Sequence, residues 1–139
     1  PGFRAWLTEI MRRHAALAGE FAPLQETGWH EQAEGAARMQ PLLMTLCAWY
    51  LTMAKRDGEP LDAVARFHLG NGARMERVNW LADTSKRGLQ LPAGMMVNYI
   101  YRLNEVELNH EAFVHEHEVV ASHALKKLAR DCVLSSDTQ

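Results

Sequence analysis

The side chain with the clearest capacity for chemistry in this sequence is His68, because an imidazole can give or take a proton near neutral pH. It lies in the run from Val64 to Leu69, directly before Gly70-Asn71-Gly72. Alternation along this run favours a β-strand, and Asn-Gly is a strong turn signal. We therefore predict that His68 ends a strand beside a turn whose backbone amides can approach a ligand carbonyl or phosphate. On spacing alone, an ordinary hairpin with a histidine near its tip is the simpler alternative.

Two tyrosines on another alternating segment are the next candidates. The segment from Met95 to Leu103 has the period of a strand, and Tyr99 and Tyr101 share its apolar face. We expect both rings to pack in the core, while the hydroxyl of Tyr101 can reach a substrate. The segment from Arg74 to Ala82 follows the Asn-Gly turn, and we predict that it is a strand as well.

Histidines and glutamates near the C-terminus raise the question of a metal site. His110-Glu111 is followed by His115, which resembles a zinc-binding helix motif. Residues five apart on a helix are separated by roughly 140°, so these two histidines cannot share one ion. We therefore predict no metal site and interpret this cluster as the solvated face of a helix from His110 to Cys132.

The remaining elements are mainly helical. Apolar residues recur at helical spacing from Phe3 to Leu17, and a second helix, apolar on most sides, begins near Pro41 and stops at Gly58. The stretch from 21 to 39 is predicted to be irregular, and Cys47 is interpreted as an inert buried thiol. Three helical segments and two or three strands predict an α+β fold, with helices packed on a small, mostly antiparallel sheet.

Composition narrows the possible functions. The chain has 139 residues, of which 47% are hydrophobic and 23% are charged, so it can form a core. A net charge of −2 does not favour nucleic acid as a partner, and no apolar run is long enough to span a membrane. Two cysteines do not make a disulfide framework, which favours a cytoplasmic protein. The chain begins at Pro1 rather than at a methionine, so we expect it to be part of a longer protein.

Several segments taken together resemble the C-terminal catalytic region of malonyl-CoA decarboxylases. The segments are Pro1 to Leu7, Leu46 to Leu51, Phe67-His68-Leu69-Gly70-Asn71-Gly72-Ala73, Val78 to Asp83, and Gly94 to Tyr101. They occur in the order of the family and cover most of the chain, whereas 18–39 and 104–139 match less clearly. The resemblance implies a GNAT-like acyl-CoA fold, of which residues 1–139 would be a single piece from the C-terminal part.

The same resemblance implies an activity. A carbon–carbon lyase of this family converts malonyl-CoA to acetyl-CoA and CO₂ without metal or biotin. His68 matches the catalytic histidine that acts as proton donor. The family's catalytic serine would lie a few residues before Pro1, so this chain lacks it and is expected to be inactive alone. As substrate-binding residues we add Asn71, Gly72 and Tyr101 to His68. The expected partners are malonyl-CoA, acetyl-CoA and further copies of the full-length chain in a homo-oligomer, without nucleic acid or membrane.

Two alternatives stay open. A GNAT-like acyltransferase would use acetyl-CoA and an amine acceptor, and would release thiol only when the acceptor is present. A helix-rich assembly module would have no activity, because it lacks the serine.

Overall fold

The computed structural model describes residues 2–90 and 93–138, and the longest helix in these ranges is α3 (Ala33–Thr52). The α-helices are α1 (Phe3–Arg13), α2 (Ala15–Glu20), α3 (Ala33–Thr52), α4 (Ala63–Gly70), α5 (Lys86–Gln90), α6 (Val106–Glu116) and α7 (His123–Arg130). The strands are β1 (Lys55–Arg56), β2 (Glu59–Pro60), β3 (Arg74–Asn79) and β4 (Met96–Ile100). Short 3-10 helices cover Ala22–Gln25, Trp29–Glu31 and Val133–Thr138. The predicted α+β class is confirmed.

The central helix α3 carries much of the hydrophobic core. Leu43 and Leu46 are fully buried and Tyr50 is 1% exposed, and each such burial stabilises the fold by about 1.5–3 kcal/mol. The sequence predicted that this helix begins near Pro41, but it begins at Ala33. Pro41 lies inside the helix, where it cannot donate to the preceding turn. Burial of the apolar side chains on either side of Pro41 outweighs that lost hydrogen bond.

The strands form two antiparallel pairs, β1 with β2 and β3 with β4. Both strands predicted on either side of α5 are confirmed, although β4 ends at Ile100. The other edge of β3 pairs with the segment before α7: the Met75 amide donates to the Val120 carbonyl at 2.9 Å, and the Ser122 amide donates to the Met75 carbonyl at 2.8 Å. β3 is therefore held on both edges.

That pairing explains why the single helix predicted from His110 to Cys132 is wrong. α6 stops at Glu116, and His117 adopts a left-handed conformation with φ 55°. The chain then runs extended past Met75, and Ser122 caps the new helix α7 by accepting from the Leu125 amide. The hydrogen bonds to β3 compensate for the interrupted helix.

The predicted strand at His68 is also wrong, because Ala63–Gly70 is helix α4. Ala65 and Leu69 are buried at 0% and 1% exposure, whereas Phe67 is 64% exposed. A strand would place these three side chains on one face, but a helix places only residues one turn apart together. None of the helices in the described ranges is long and apolar enough to cross a membrane.

Candidate active site

The N-terminal end of α4 is fixed by Asp62. Its Oδ2 accepts a hydrogen bond from the Ala65 amide at 3.0 Å, as expected for an aspartate that caps a helix. Its Oδ1 accepts from the Tyr50 hydroxyl of α3 at 3.2 Å. Arg66 donates to the Pro60 and Leu61 carbonyls, each at 2.8 Å. These contacts tie α4 to the central helix and to the strand β2 that precedes it.

The C-terminal end of α4 is a Schellman motif, and not the hairpin turn that the sequence predicted. The Ala73 amide donates to the His68 carbonyl at 3.0 Å and the Gly72 amide donates to the Leu69 carbonyl at 3.1 Å, with Gly72 at φ 88°. The Asn71 amide donates to the carbonyls of the last helical turn, and its Nδ2 donates to the Phe67 carbonyl at 2.8 Å. The expectation that these amides are free for a ligand is therefore wrong.

Helix α6 packs against this end of α4. Asn109 Nδ2 donates to the Gly72 carbonyl at 3.1 Å, and His110 Nδ1 lies 2.7 Å from the Gly70 carbonyl. A Cβ on Gly72 would lie 2.3 Å from the Val106 carbonyl oxygen. Gly72 is required here both for its positive φ and for this close approach.

His68 lies on the last turn of α4, and its half-buried ring is surrounded by aromatic side chains. Nδ1 is 2.6 Å from the Tyr101 hydroxyl, a short hydrogen bond. The Tyr99 ring stacks on the imidazole with centroids 4.3 Å apart and planes 19° apart. The centroid of the Phe67 ring lies 5.2 Å from that of the imidazole, and the two rings are nearly perpendicular. No described residue forms a hydrogen bond with Nε2, so this nitrogen is the one placed to exchange a proton.

Tyr99 contributes more than the sequence indicated. Its hydroxyl is buried and has no hydrogen-bond partner within 2–90 and 93–138. Burial raises the pKa of this hydroxyl, and the Asp62 carboxylate adds to the rise. The stacking on His68 was not predicted, and the one signal for it was that Tyr99 shares a strand face with Tyr101.

The structure thus brings two of the predicted residues, His68 and Tyr101, into direct contact. Asn71 and Gly72 lie next to them in the chain, but their amides belong to the helix end. Pro1, which the resemblance places near the site, lies outside the described residues.

Other reactive residue types are placed away from this contact. Among the described residues, no group of three or more His, Cys, Asp or Glu side chains is arranged to hold a metal ion. His115 Nε2 lies 3.0 Å from a carboxylate oxygen of Glu111 on the exposed side of α6. Cys47 is a buried free thiol, as predicted, and burial raises its pKa.

Comparison with known sequences agrees with the resemblance. The family model for the malonyl-CoA decarboxylase C-terminal domain matches residues 1–138. Mitochondrial malonyl-CoA decarboxylase of Rattus norvegicus is 43% identical over 115 residues, which cover 83% of this chain and 23% of that protein. The corresponding protein of Anser anser anser is 41% identical over 99 residues, covering 71% of this chain and 20% of its own length.

Solved structures match as well. The crystal structure of malonyl-CoA decarboxylase from Rhodopseudomonas palustris superposes with a TM-score of 0.87 at 40% identity, covering 92% of this chain and 31% of that one. The structure from Agrobacterium vitis gives 0.82 at 38% identity, with 92% and 33% coverage.

The fold of this chain therefore matches one portion of the solved decarboxylase structures. The chain belongs to the malonyl-CoA decarboxylase family and corresponds to its C-terminal domain. It spans about a quarter of the length of the curated relatives and about a third of the solved chains.

Proposed function

We propose that this chain is the C-terminal part of the catalytic domain of a malonyl-CoA decarboxylase, and that His68 donates the proton that completes the reaction. The observation that carries the proposal is the 2.6 Å contact between His68 Nδ1 and the Tyr101 hydroxyl on a helix fixed at both ends. In a family whose relatives are named for decarboxylation of malonyl-CoA, a fixed imidazole with a free nitrogen is suited to proton transfer.

The chemistry defines what the histidine must do. When the bond between C2 and the carboxylate breaks, CO₂ leaves and its electron pair moves into the thioester carbonyl as an enolate. That electron pair then forms a bond from C2 to a proton, which gives acetyl-CoA. With Nδ1 engaged by Tyr101, Nε2 is the nitrogen that loses the proton and later regains one from solvent. The thioester carbonyl accepts the electrons itself, so the proposal requires neither metal nor biotin.

The enolate oxygen also needs donors, and the structure argues against one source. The amides of Asn71 and Gly72 already donate within the helix end, so they are not available to the enolate oxygen unless those hydrogen bonds break. Following the family resemblance, we propose that the serine expected before Pro1 hydrogen-bonds the malonyl group, in a longer protein with a GNAT-like domain. We also retain a homo-oligomer and a cytoplasmic location as predictions, although the Rattus norvegicus and Anser anser anser relatives are named mitochondrial.

The test is the substitution His68→Asn in the full-length protein. Asparagine keeps polarity and approximate size but cannot protonate a carbanion, so we expect kcat to fall by ~10²-fold or more with KM nearly constant. The measurement is CO₂ release from labelled malonyl-CoA, with circular dichroism to confirm the fold.

His115→Asn is the matched control, because it makes the same change on the exposed side of α6 and should leave kcat unchanged. Full activity of a well-folded His68→Asn protein would contradict the proposal. Thiol release that depends on an added amine would indicate an acyltransferase instead.

A further inference from the structure

We propose that Tyr99 is a positioning residue for His68, and that its ring, not its hydroxyl, sets the orientation of the imidazole in which Nε2 reaches the substrate. This inference rests on the proposed function, because it gives His68 the role of proton donor. It adds a residue that the sequence placed only in the core.

The first step is geometric. The hydrogen bond to Tyr101 fixes the position of Nδ1, but the imidazole can still turn about the axis between the two atoms. The Tyr99 ring lies parallel to one face of the imidazole, at 4.3 Å and 19°, and prevents that rotation. One hydrogen bond and one face contact together determine where Nε2 points, which is what proton transfer to a specific carbon requires.

The second step concerns the support of the Tyr99 ring itself. Tyr99 pairs in register with Met75 of β3, which is fully buried. Met75 is in turn hydrogen-bonded through both backbone groups to the segment before α7. Tyr99 therefore lies on β4, which pairs with β3, and β3 is itself held on its other edge by the segment before α7. A side chain on such a strand is held more precisely than a side chain on a loop.

The third step separates the ring from the hydroxyl. The hydroxyl is buried with no partner among the described residues, and a buried polar group without a partner destabilises the fold. Phenylalanine would fill the same volume without that cost. The contact with His68 is made by the ring face, which phenylalanine also provides.

The experiment compares ring-preserving and ring-removing substitutions in the full-length protein. We expect Tyr99→Phe to keep kcat within about twofold of wild type. We expect Tyr99→Leu to lower kcat ~10-fold while KM changes less than about twofold, because the imidazole is displaced and substrate contacts remain. If the leucine variant does not fold, Tyr99→Met carries the same expectation, because its unbranched, flexible side chain adapts to an irregular space more easily than leucine does.

Val97→Ala is the control for loss of packing. Val97 lies two residues before Tyr99 on the same face of β4, and it pairs with Val78 whereas Tyr99 pairs with Met75. We expect this variant to lower the melting temperature and to keep kcat. An equal loss of kcat in Val97→Ala at a similar loss of stability would overturn the proposal, since it would show a general effect of strand packing.

A double-mutant cycle separates this inference from the proposed function. In a His68→Asn background, Tyr99→Leu should change the residual kcat by less than about twofold, because there is no imidazole to orient. A full further loss in that background would overturn the positioning role, as would wild-type kcat for Tyr99→Leu or equal losses for Phe and Leu. If His68→Asn alone is fully active, the proposed function fails, and the positioning role fails with it.

Discussion

His68 and Cys47 are both residue types that can do chemistry, but their surroundings differ. Cys47 is 3% exposed, and burial, with a contribution from the Asp62 carboxylate, raises the pKa of its thiol. The thiolate, which is the nucleophile, is therefore disfavoured. His68 is half-buried, and its Nε2 is left without a protein partner in the described part of the chain. At the scale of single residues, burial makes Cys47 unreactive, whereas His68 keeps one ring nitrogen that can meet a ligand.

Tyr101 is the residue whose role can be tested most directly at this scale. Its hydroxyl is 2.6 Å from His68 Nδ1, and the side chain is 48% exposed. Tyr101→Phe removes the hydrogen bond but keeps the ring, so we expect kcat in the full-length protein to fall ~10-fold. The melting temperature should hardly change, because an exposed hydrogen bond contributes little to stability.

The measurement pairs steady-state kinetics with thermal unfolding. Tyr99→Phe serves as the comparison, since it removes a hydroxyl from the neighbouring ring without touching Nδ1. If Tyr101→Phe has wild-type kcat, its hydroxyl has no part in the reaction.

At the scale of elements, α4 shows why the sequence was ambiguous. Ala65 and Leu69 are separated by four positions, which places them on one face of a strand and also on one face of a helix. Phe67 decides between the two, because it is exposed in the helix and would be buried in the strand. Asp62 was the available signal for a helix, since aspartate is a preferred N-cap. Gly72 was recognised as a turn residue but assigned to a hairpin instead of a helix end.

Contacts between residues that are distant in sequence explain the other differences between prediction and structure. The α+β class, β3, β4 and the burial of Cys47 could be predicted from local pattern and composition. The break at His117 could not, because it depends on pairing of the following segment with Met75, which is distant in sequence. Contact between Tyr99 and His68 depends in the same way on how β4 packs beside α4.

Gly72 provides a prediction for the helix end. Gly72→Ala places a Cβ at 2.3 Å from the Val106 carbonyl oxygen and requires a side chain at φ 88°. We expect the free energy of unfolding to fall by about 2 kcal/mol or more. Gly70→Ala is the matched control: its Cβ would meet Phe113 at 4.0 Å, an ordinary contact, inside the helix. Alanine there should be neutral or stabilise by about 0.5–1 kcal/mol.

Denaturant unfolding of both variants measures the difference. Equal stability of the two would mean that the close approach of α4 and α6 at Val106 is not maintained in solution. A loss for Gly72→Ala alone would support the Schellman motif as the device that holds the C-terminal end of α4, and with it the position of His68.

At the scale of the whole molecule, α4 exposes apolar side chains close to His68: Phe67 is 64% exposed and Val64, one helical turn before His68, is 57% exposed. An apolar surface with little water suits the proton transfer that we propose for His68. The resemblance seen in the sequence predicted the family because several motifs occur in the right order. The resemblance could not predict which segments pack on this surface, because the chain spans about a third of the solved chains.

The last prediction concerns this chain in isolation. We expect purified 1–139 to release no more CO₂ from labelled malonyl-CoA than the same sample after heat denaturation. Decarboxylation needs donors on the thioester oxygen and a site that excludes water. The amides beside His68 already donate within the helix end, and the family resemblance places the expected serine before Pro1. In the mechanism that we propose, His68 and Tyr101 serve only the protonation of C2.

The full-length protein under the same conditions is the positive control, and circular dichroism of the isolated chain establishes that its helices have formed. Turnover by the folded isolated chain in the usual enzyme range, roughly 1–10³ s⁻¹, would contradict the prediction. In that case the donors to the enolate must lie within residues 1–139, and the contacts of Asn71 and Gly72 would have to rearrange when substrate binds. Absence of turnover in the folded chain, with activity in the full-length protein, would assign those donors to the remainder of the protein.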